Sequence, residues 1–157
     1  MITGYSGTPL AKKLGMKAGM AVLTVNAPDD YGQLVDPVPE DVLIEAAESV
    51  TPLLTRGVLA GQYVSSATPS QRWDIVHLFT NGRDELFGEL ARLRSVIKQD
   101  GAIWVSWYKK AAKLPTEITE DTVREAAFPL GLVDVRVCAV DEKWSGLKVV
   151  IRKVNRE

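Results

Sequence analysis

The chain holds one histidine, His77, and one thiol, Cys138. An imidazole is the side chain whose ordinary pKa suits general acid or base work near neutral pH, and a thiol becomes a nucleophile only when its surroundings favour the thiolate. Neither residue stands in a motif that would do this. His77 lies inside the apolar run Trp73-Asp74-Ile75-Val76-His77-Leu78-Phe79, and Cys138 alternates with valines in Val135-Arg136-Val137-Cys138. A core imidazole with satisfied nitrogens and an inert buried thiol are therefore expected, and no catalytic residue is assigned. One cysteine with one histidine also leaves no intrachain disulfide and no zinc ligand set.

Binding chemistry has more candidates. Trp104, Trp107, Tyr108, Lys109, Lys110 and Lys113 form the densest aromatic and basic cluster. Exposed rings stack on bases or on a partner's side chains, and lysines pair with phosphates, so Trp107, Lys109 and Lys110 are assigned to a partner or ligand surface and Trp104 to the core. Trp144 and Ser145, in Lys143-Trp144-Ser145-Gly146, make a second such surface. A tryptophan at a hairpin tip is costly in water; it either covers a neighbouring loop of its own chain or forms a contact. Asp29 and Asp30 have the chemistry to hold ligand hydroxyls or a cation, although two acids in a proline-flanked loop are more often solvated. Tyr5-Ser6-Gly7-Thr8 precedes a helix start, where an anion is favoured, but a plain cap is the simpler reading.

With 157 residues the chain fits one domain, and a domain of this size buries roughly 70% of its unfolded surface. Nineteen basic against twenty acidic residues leave a net charge of −1, so no overall field draws it to nucleic acid or to an anionic membrane. The start lacks the layout of a signal peptide, and no apolar run approaches the ~20 residues of a membrane span. A cytoplasmic protein without membrane contact is expected.

Elements that would position these residues follow from punctuation and periodicity. Thr8 as N-cap, Pro9 at the first helical position and Gly15 beyond the end frame a short helix. Met20 to Val25 is an apolar run without alternation, the pattern of a strand covered on both faces. Residues 27–40, with three prolines, read as a connecting loop or at most an irregular turn. Asp41 to Glu45 is either a short strand or the start of a helix through Ala46, Ala47 and Val50 until Pro52. Leu53, Leu54, Val58 and Leu59 have helical spacing, Gly61 is a stop, and Gln62 to Ser66 is a further strand. From Trp73 the signals sharpen. The strand Trp73 to Phe79 precedes a helix capped by Asn81, with Leu86, Leu90, Leu93 and Ile97 as its buried stripe. Gln99-Asp100-Gly101 then turns the chain into the strand Ala102 to Trp107. Thr119 caps the next helix, with Ile118 and Val123 spaced as a hydrophobic staple, and Pro129 and Gly131 close it. Leu132 to Val140 and Leu147 to Lys153 are close enough to pair antiparallel. The order implies an α/β fold with a mostly parallel sheet and an antiparallel C-terminal hairpin.

That order resembles the class I S-adenosylmethionine-dependent methyltransferase fold, a Rossmann-like three-layer sandwich. More specifically, Gly4-Tyr5-Ser6-Gly7-Thr8-Pro9-Leu10-Ala11-Lys12-Lys13-Leu14-Gly15, Asp74 to Phe79, Trp104 to Lys110, and Val137 to Lys148 are similar to a bacterial domain-of-unknown-function family, over residues 4–26 and 73–153. The resemblance implies a ligand crevice beyond the carboxyl ends of the parallel strands, which makes Asn26, Asp29, Asp30, Thr80 and Asn81 its candidate cofactor contacts. The sequence departs from the methyltransferase pattern at the decisive place. Asn26-Ala27-Pro28-Asp29-Asp30-Tyr31-Gly32 lacks the glycine spacing that lets a cofactor approach the backbone, and Pro28 removes an amide donor. The expectation is therefore a non-catalytic binding or interaction domain on a methyltransferase-like scaffold, with no cofactor. Two alternatives stand beside it: an S-adenosylmethionine-dependent methyltransferase with an atypical cofactor site, and a phosphate or nucleic-acid binding module centred on Lys109, Lys110 and Lys113.

Overall fold

The computed structural model describes residues 10–36, 38–47 and 73–152. The expected Thr8 cap with Pro9, the Tyr5 to Thr8 anion position, the helical spacing at 53–59 and the strand at 62–66 lie outside the described residues.

Six strands form one sheet in the order β2-β1-β3-β4-β6-β5. Strands β1 (Ala21–Val25), β2 (Leu43–Ala47), β3 (Trp73–Phe79) and β4 (Ile97–Tyr108) run parallel, as expected for apolar runs linked by crossovers. Strands β5 (Leu132–Ala139) and β6 (Trp144–Ile151) add the antiparallel hairpin, β6 lying between β4 and β5. Of the two readings of residues 41–47, the strand holds. The loop expected over 27–40 contains one helical turn, α2 (Tyr31–Leu34), which follows α1 (Leu10–Lys13). Trp144 opens β6 opposite Tyr108, so it stands in the ladder and not at the hairpin tip.

Among the described residues, different elements pack on the two faces of the sheet. On one face lie α3 (Arg83–Arg94) and α4 (Glu120–Ala127). Leu86, Leu90 and Leu93 of α3 are fully buried in one cluster with Val76, Leu78, Ile103 and Val105 of the sheet. Thr119 caps α4 through a reciprocal pair: its hydroxyl accepts from the Thr122 amide at 3.3 Å, and the Thr122 hydroxyl accepts from the Thr119 amide at 3.1 Å. Ile118 and Val123 enter the same core, as the staple spacing requires. On the opposite face, among the described residues, α1, α2 and Val140 pack over Val22, Ile75, Phe79 and Trp104.

Two local expectations are corrected. Asn81 does not cap α3; Gly82 holds that position without a side-chain bond, because the Asn81 Oδ1 accepts from the Tyr108 amide at 2.8 Å instead. The first amide of α3, on Arg83, donates at 2.7 Å to Glu117, a residue from beyond β4. Nor do Gln99 to Gly101 turn the chain. Strand β4 begins at Ile97 and runs through them, with a register shift between the Trp73–Ile97 and Ile75–Ala102 pairs. Gly101 is needed there for space: a Cβ would stand 3.0 Å from the Trp73 carbonyl oxygen and 3.1 Å from the Lys98 nitrogen. At the far margin, β5 is an edge strand whose register shifts between Asp134 and Arg136, leaving Val135 and Val137 half exposed.

Candidate functional site

The carboxyl ends of β1 and β3 adjoin, and the residues following them meet over the sheet crest. Asn26 leaves β1 with φ +59, a left-handed turn that an asparagine tolerates better than most side chains. Its amide donates at 3.4 Å to Glu85 Oε2, in the first turn of α3. Thr80, buried at the end of β3, donates to the other oxygen of the same carboxylate at 2.5 Å. One glutamate thus spans the two strand ends. Asn81 ties this crest to the next strand through Tyr108 and, by its carbonyl, to the Glu117 amide at 2.9 Å. Asp29 and Asp30 are exposed, and Asp30 makes no side-chain cap to α2. Of the five residues expected at a cofactor crevice, Asn26 and Thr80 are joined through Glu85, Asn81 is bound to Tyr108 on the next strand, and the two aspartates are exposed. Glu85 carries no signal in the sequence; an acid in the first turn of a helix is favoured by the helix dipole anyway.

One strand further along, a cleft of about 740 Å³ opens beyond the end of β4. Trp107, Lys109, Lys110 and Ser145 all line it, together with Leu114 and the Thr119 end of α4. Four of the five residues assigned to a ligand surface therefore converge. Their roles differ from the expectation, because Trp107 is 6% exposed and belongs to the helix-side core. It offers no free face for base stacking. Trp144 is half buried, edge-on to Phe79 and tilted over Tyr108 at 4.6 Å, so it covers its own chain. Arg124, also in the lining, is held by Asp134, Asp121 and Glu120, with the Asp134 hydrogen bond the largest cause of its raised pKa.

His77 anchors a buried polar chain on the α1–α2 face. Its Nδ1 lies 3.0 Å from the Tyr31 hydroxyl, and its Nε2 lies 2.7 Å from the Ser106 hydroxyl. The imidazole stacks on Phe79 at 4.2 Å. Desolvation lowers its pKa to about 3, so the ring is neutral and donates from one nitrogen while accepting at the other. Burial also raises the Tyr31 phenol, and it pushes the Cys138 thiol up to about 11. Ser106 and His77 are spaced as a nucleophile and base would be, but both are fully buried and no substrate reaches them. Among the described residues no group of histidine, cysteine, aspartate and glutamate side chains is placed to hold a metal ion, and no helix is long and apolar enough to cross a membrane.

The strand order, the crossover helices and the antiparallel hairpin define a methyltransferase-like Rossmann fold, and solved structures carry the same architecture. A TehB-like SAM-dependent methyltransferase from Corynebacterium glutamicum superposes with a TM-score of 0.59 at 13% identity, over 95% of this chain and 90% of that one. A SAM-dependent methyltransferase from Aquifex aeolicus matches with a TM-score of 0.55 at 17% identity, over 88% of this chain and 85% of that one. A protein from Bordetella parapertussis described as a possible exported protein matches with a TM-score of 0.58 at 12% identity; the alignment takes in 90% of this chain but only 65% of its length. At such identities the likeness is one of fold. The chain belongs to the family described as "Protein of unknown function (DUF3052)", which matches residues 58–153. No curated protein matches the chain significantly.

S-adenosylmethionine, named for two of these neighbours, can be tested against the crest. A nucleoside cofactor held at such a turn needs free backbone amides and room beside them. Here Pro28 has no amide, the Asn26 side chain points to Glu85, and Glu85 is already engaged by Thr80. As arranged, these residues do not fit the cofactor.

Proposed function

We propose that this protein is a non-catalytic binding domain on a methyltransferase-like scaffold, taking its ligand in the cleft beyond β4 and not at the crest between β1 and β3. The observation that carries this reading is the 740 Å³ cleft lined by Trp107, Lys109, Lys110 and Ser145, one strand away from a crest that Glu85 occupies by bridging Asn26 and Thr80. That volume is in the range of small-molecule sites. The titratable groups support the non-catalytic part, since burial holds His77, Tyr31 and Cys138 in their neutral forms. A cytoplasmic location accords with the free Cys138 thiol.

A second reading, a SAM-dependent methyltransferase with an atypical cofactor site, draws on one feature. Asn26 takes the left-handed conformation at which a glycine would serve, so the backbone makes the turn even though the side chain fills it. Calorimetry and thermal unfolding with S-adenosylmethionine separate the two. The proposed function expects no heat and no change in Tm. A bound cofactor at 100 times its Kd would stabilise the fold by about 2.7 kcal/mol, a shift that would overturn the proposal, and Asn26→Gly would then enlarge it. The nucleic-acid alternative has lost its stacking platform with the burial of Trp107.

A further inference from the structure

Several charged side chains elsewhere on this protein are paired: Arg83 with Glu125, Lys98 with Asp74, and Arg124 with three carboxylates. One corner is different. On the α1–α2 face, Lys148 of β6 stands directly opposite Arg136 of β5, and like charges across a ladder repel. The Lys148 ammonium reaches under the exit of α1, 3.8 Å from where a Cβ would stand on Gly15. That exit is pinned by the Trp104 indole, which donates to the Leu14 carbonyl at 2.9 Å, and Trp104 is in turn the cross-strand neighbour of Lys148. Lys17 follows two residues after Gly15. Burial lowers the Lys148 pKa first, and the fields of Arg136 and Lys17 lower it further. Among the described residues, no carboxylate forms an ion pair with Lys148, Arg136 or Lys17.

The same corner has a concavity. A groove of about 610 Å³ is walled by Ala11, Met16, Val38 and Pro39, with Lys12 and Lys17 at its rim, and Gly15 belongs both to this wall and to the neighbourhood of the Lys148 ammonium. Lys148 and Arg136 face one another across the ladder and Lys17 follows the same α1 exit, none of them ion-paired among the described residues; such a group attracts a phosphate, and apolar walls beside it accept a hydrocarbon body.

We propose that this α1–β6 corner binds an organic phosphate monoester, its phosphate held by Lys17, Lys148 and Arg136 and its apolar body lying against Met16, Val38 and Pro39. The site is on the Trp104 face of the sheet, opposite the core to which Trp107 of the β4 cleft belongs, and stands whether or not that cleft binds anything. A simple arylphosphate has the required chemistry. The alternative of a bare inorganic anion shares the charge but not the wall.

Titration of the full chain with phenyl phosphate, inorganic phosphate and benzyl alcohol, followed by calorimetry and thermal unfolding, tests this. Phenyl phosphate is expected to raise the Tm and to bind at least tenfold more tightly than inorganic phosphate, with affinity falling as salt rises; benzyl alcohol is expected to give no shift. Lys148→Met should weaken phenyl phosphate at least tenfold while raising the Tm of the free protein, because it relieves repulsion. Arg136→Gln, on the sheet edge, should weaken binding without harming the fold. Equal binding of inorganic phosphate would remove the apolar wall from the proposal and overturn it. So would a Lys148→Met protein that is less stable without ligand, since that cation would then serve the exit of α1. Loss of binding in Lys110→Gln but not in Lys148→Met would move the phosphate to the β4 cleft and overturn the assignment as well.

Discussion

On the α3–α4 face, Leu86, Leu90 and Leu93 meet Val76, Leu78, Ile103 and Val105 without a polar atom among these side chains, whereas on the α1–α2 face three polar groups, Tyr31, His77 and Ser106, are buried in a line. Hydrocarbon contacts are non-directional and tolerate exchange of similar volumes; a buried hydrogen-bonded chain tolerates almost none, since each lost partner strands another group. The aliphatic face accordingly supplies bulk stability, and the polar face fixes where α2 and the ends of β3 and β4 sit relative to one another. The crest and the cleft beyond β4 both lie at those strand ends.

Substitutions on the two faces test this contrast. Leu90→Ala on the aliphatic face should cost the most, about 2–5 kcal/mol in chemical denaturation, through the cavity left in a fully buried position. A smaller loss would mean that the face collapses around the gap.

The polar face should declare itself through pH. The pKa of His77 is about 3 in the folded protein against an ordinary value of 6.5, so between those limits the unfolded chain takes up a proton that the folded chain does not. Stability is therefore fully present above pH 6.5 and falls as the solution is acidified, by roughly 1.4 kcal/mol per pH unit once well below that value. His77→Leu should remove that slope. At neutral pH it should still cost about 1–3 kcal/mol for each hydroxyl left unpaired at Tyr31 and Ser106. An unchanged acid slope in His77→Leu would show that the histidine does not report on this face.

The smallest effect belongs to a local device. Thr119→Ala should lower stability by about 1 kcal/mol, since it removes one half of the reciprocal cap on α4 while Ile118 and Val123 keep their core contacts.

Legibility in the sequence follows the range of the interaction. The Leu86, Leu90 and Leu93 stripe on α3, the Thr119 cap with its staple and the hairpin β5–β6 are set by residues within a few positions of each other, and each is readable, whereas Ile97, assigned to the same stripe, opens β4 beyond the helix end at Arg94. Asn81 is open to misreading for the opposite reason: its type suits a helix cap, but a backbone amide 27 residues away, on Tyr108, takes its side chain. Glu85 closes the crest by meeting Asn26 from 59 residues away, and Tyr31 reaches His77 across 46. Gly101 reads as a turn because turns are where glycines are common, while the actual demand is for space under the Trp73 carbonyl. The surface residues Lys109, Lys110 and Ser145 are legible as a group because two of them adjoin in sequence and the hairpin brings the third. That Trp107 faces inward depends on strand register, which alternation in a fully apolar run cannot specify.

The displaced register of β5 also bears on how copies of this protein would meet. An outermost strand with Val135 and Val137 in contact with water is the kind of template on which chains add to one another, but the kink between Asp134 and Arg136 interrupts its run of free amides and carbonyls. Arg136 stands between the two valines in the chain, so an incoming strand that reaches for either one must also strip water from a guanidinium.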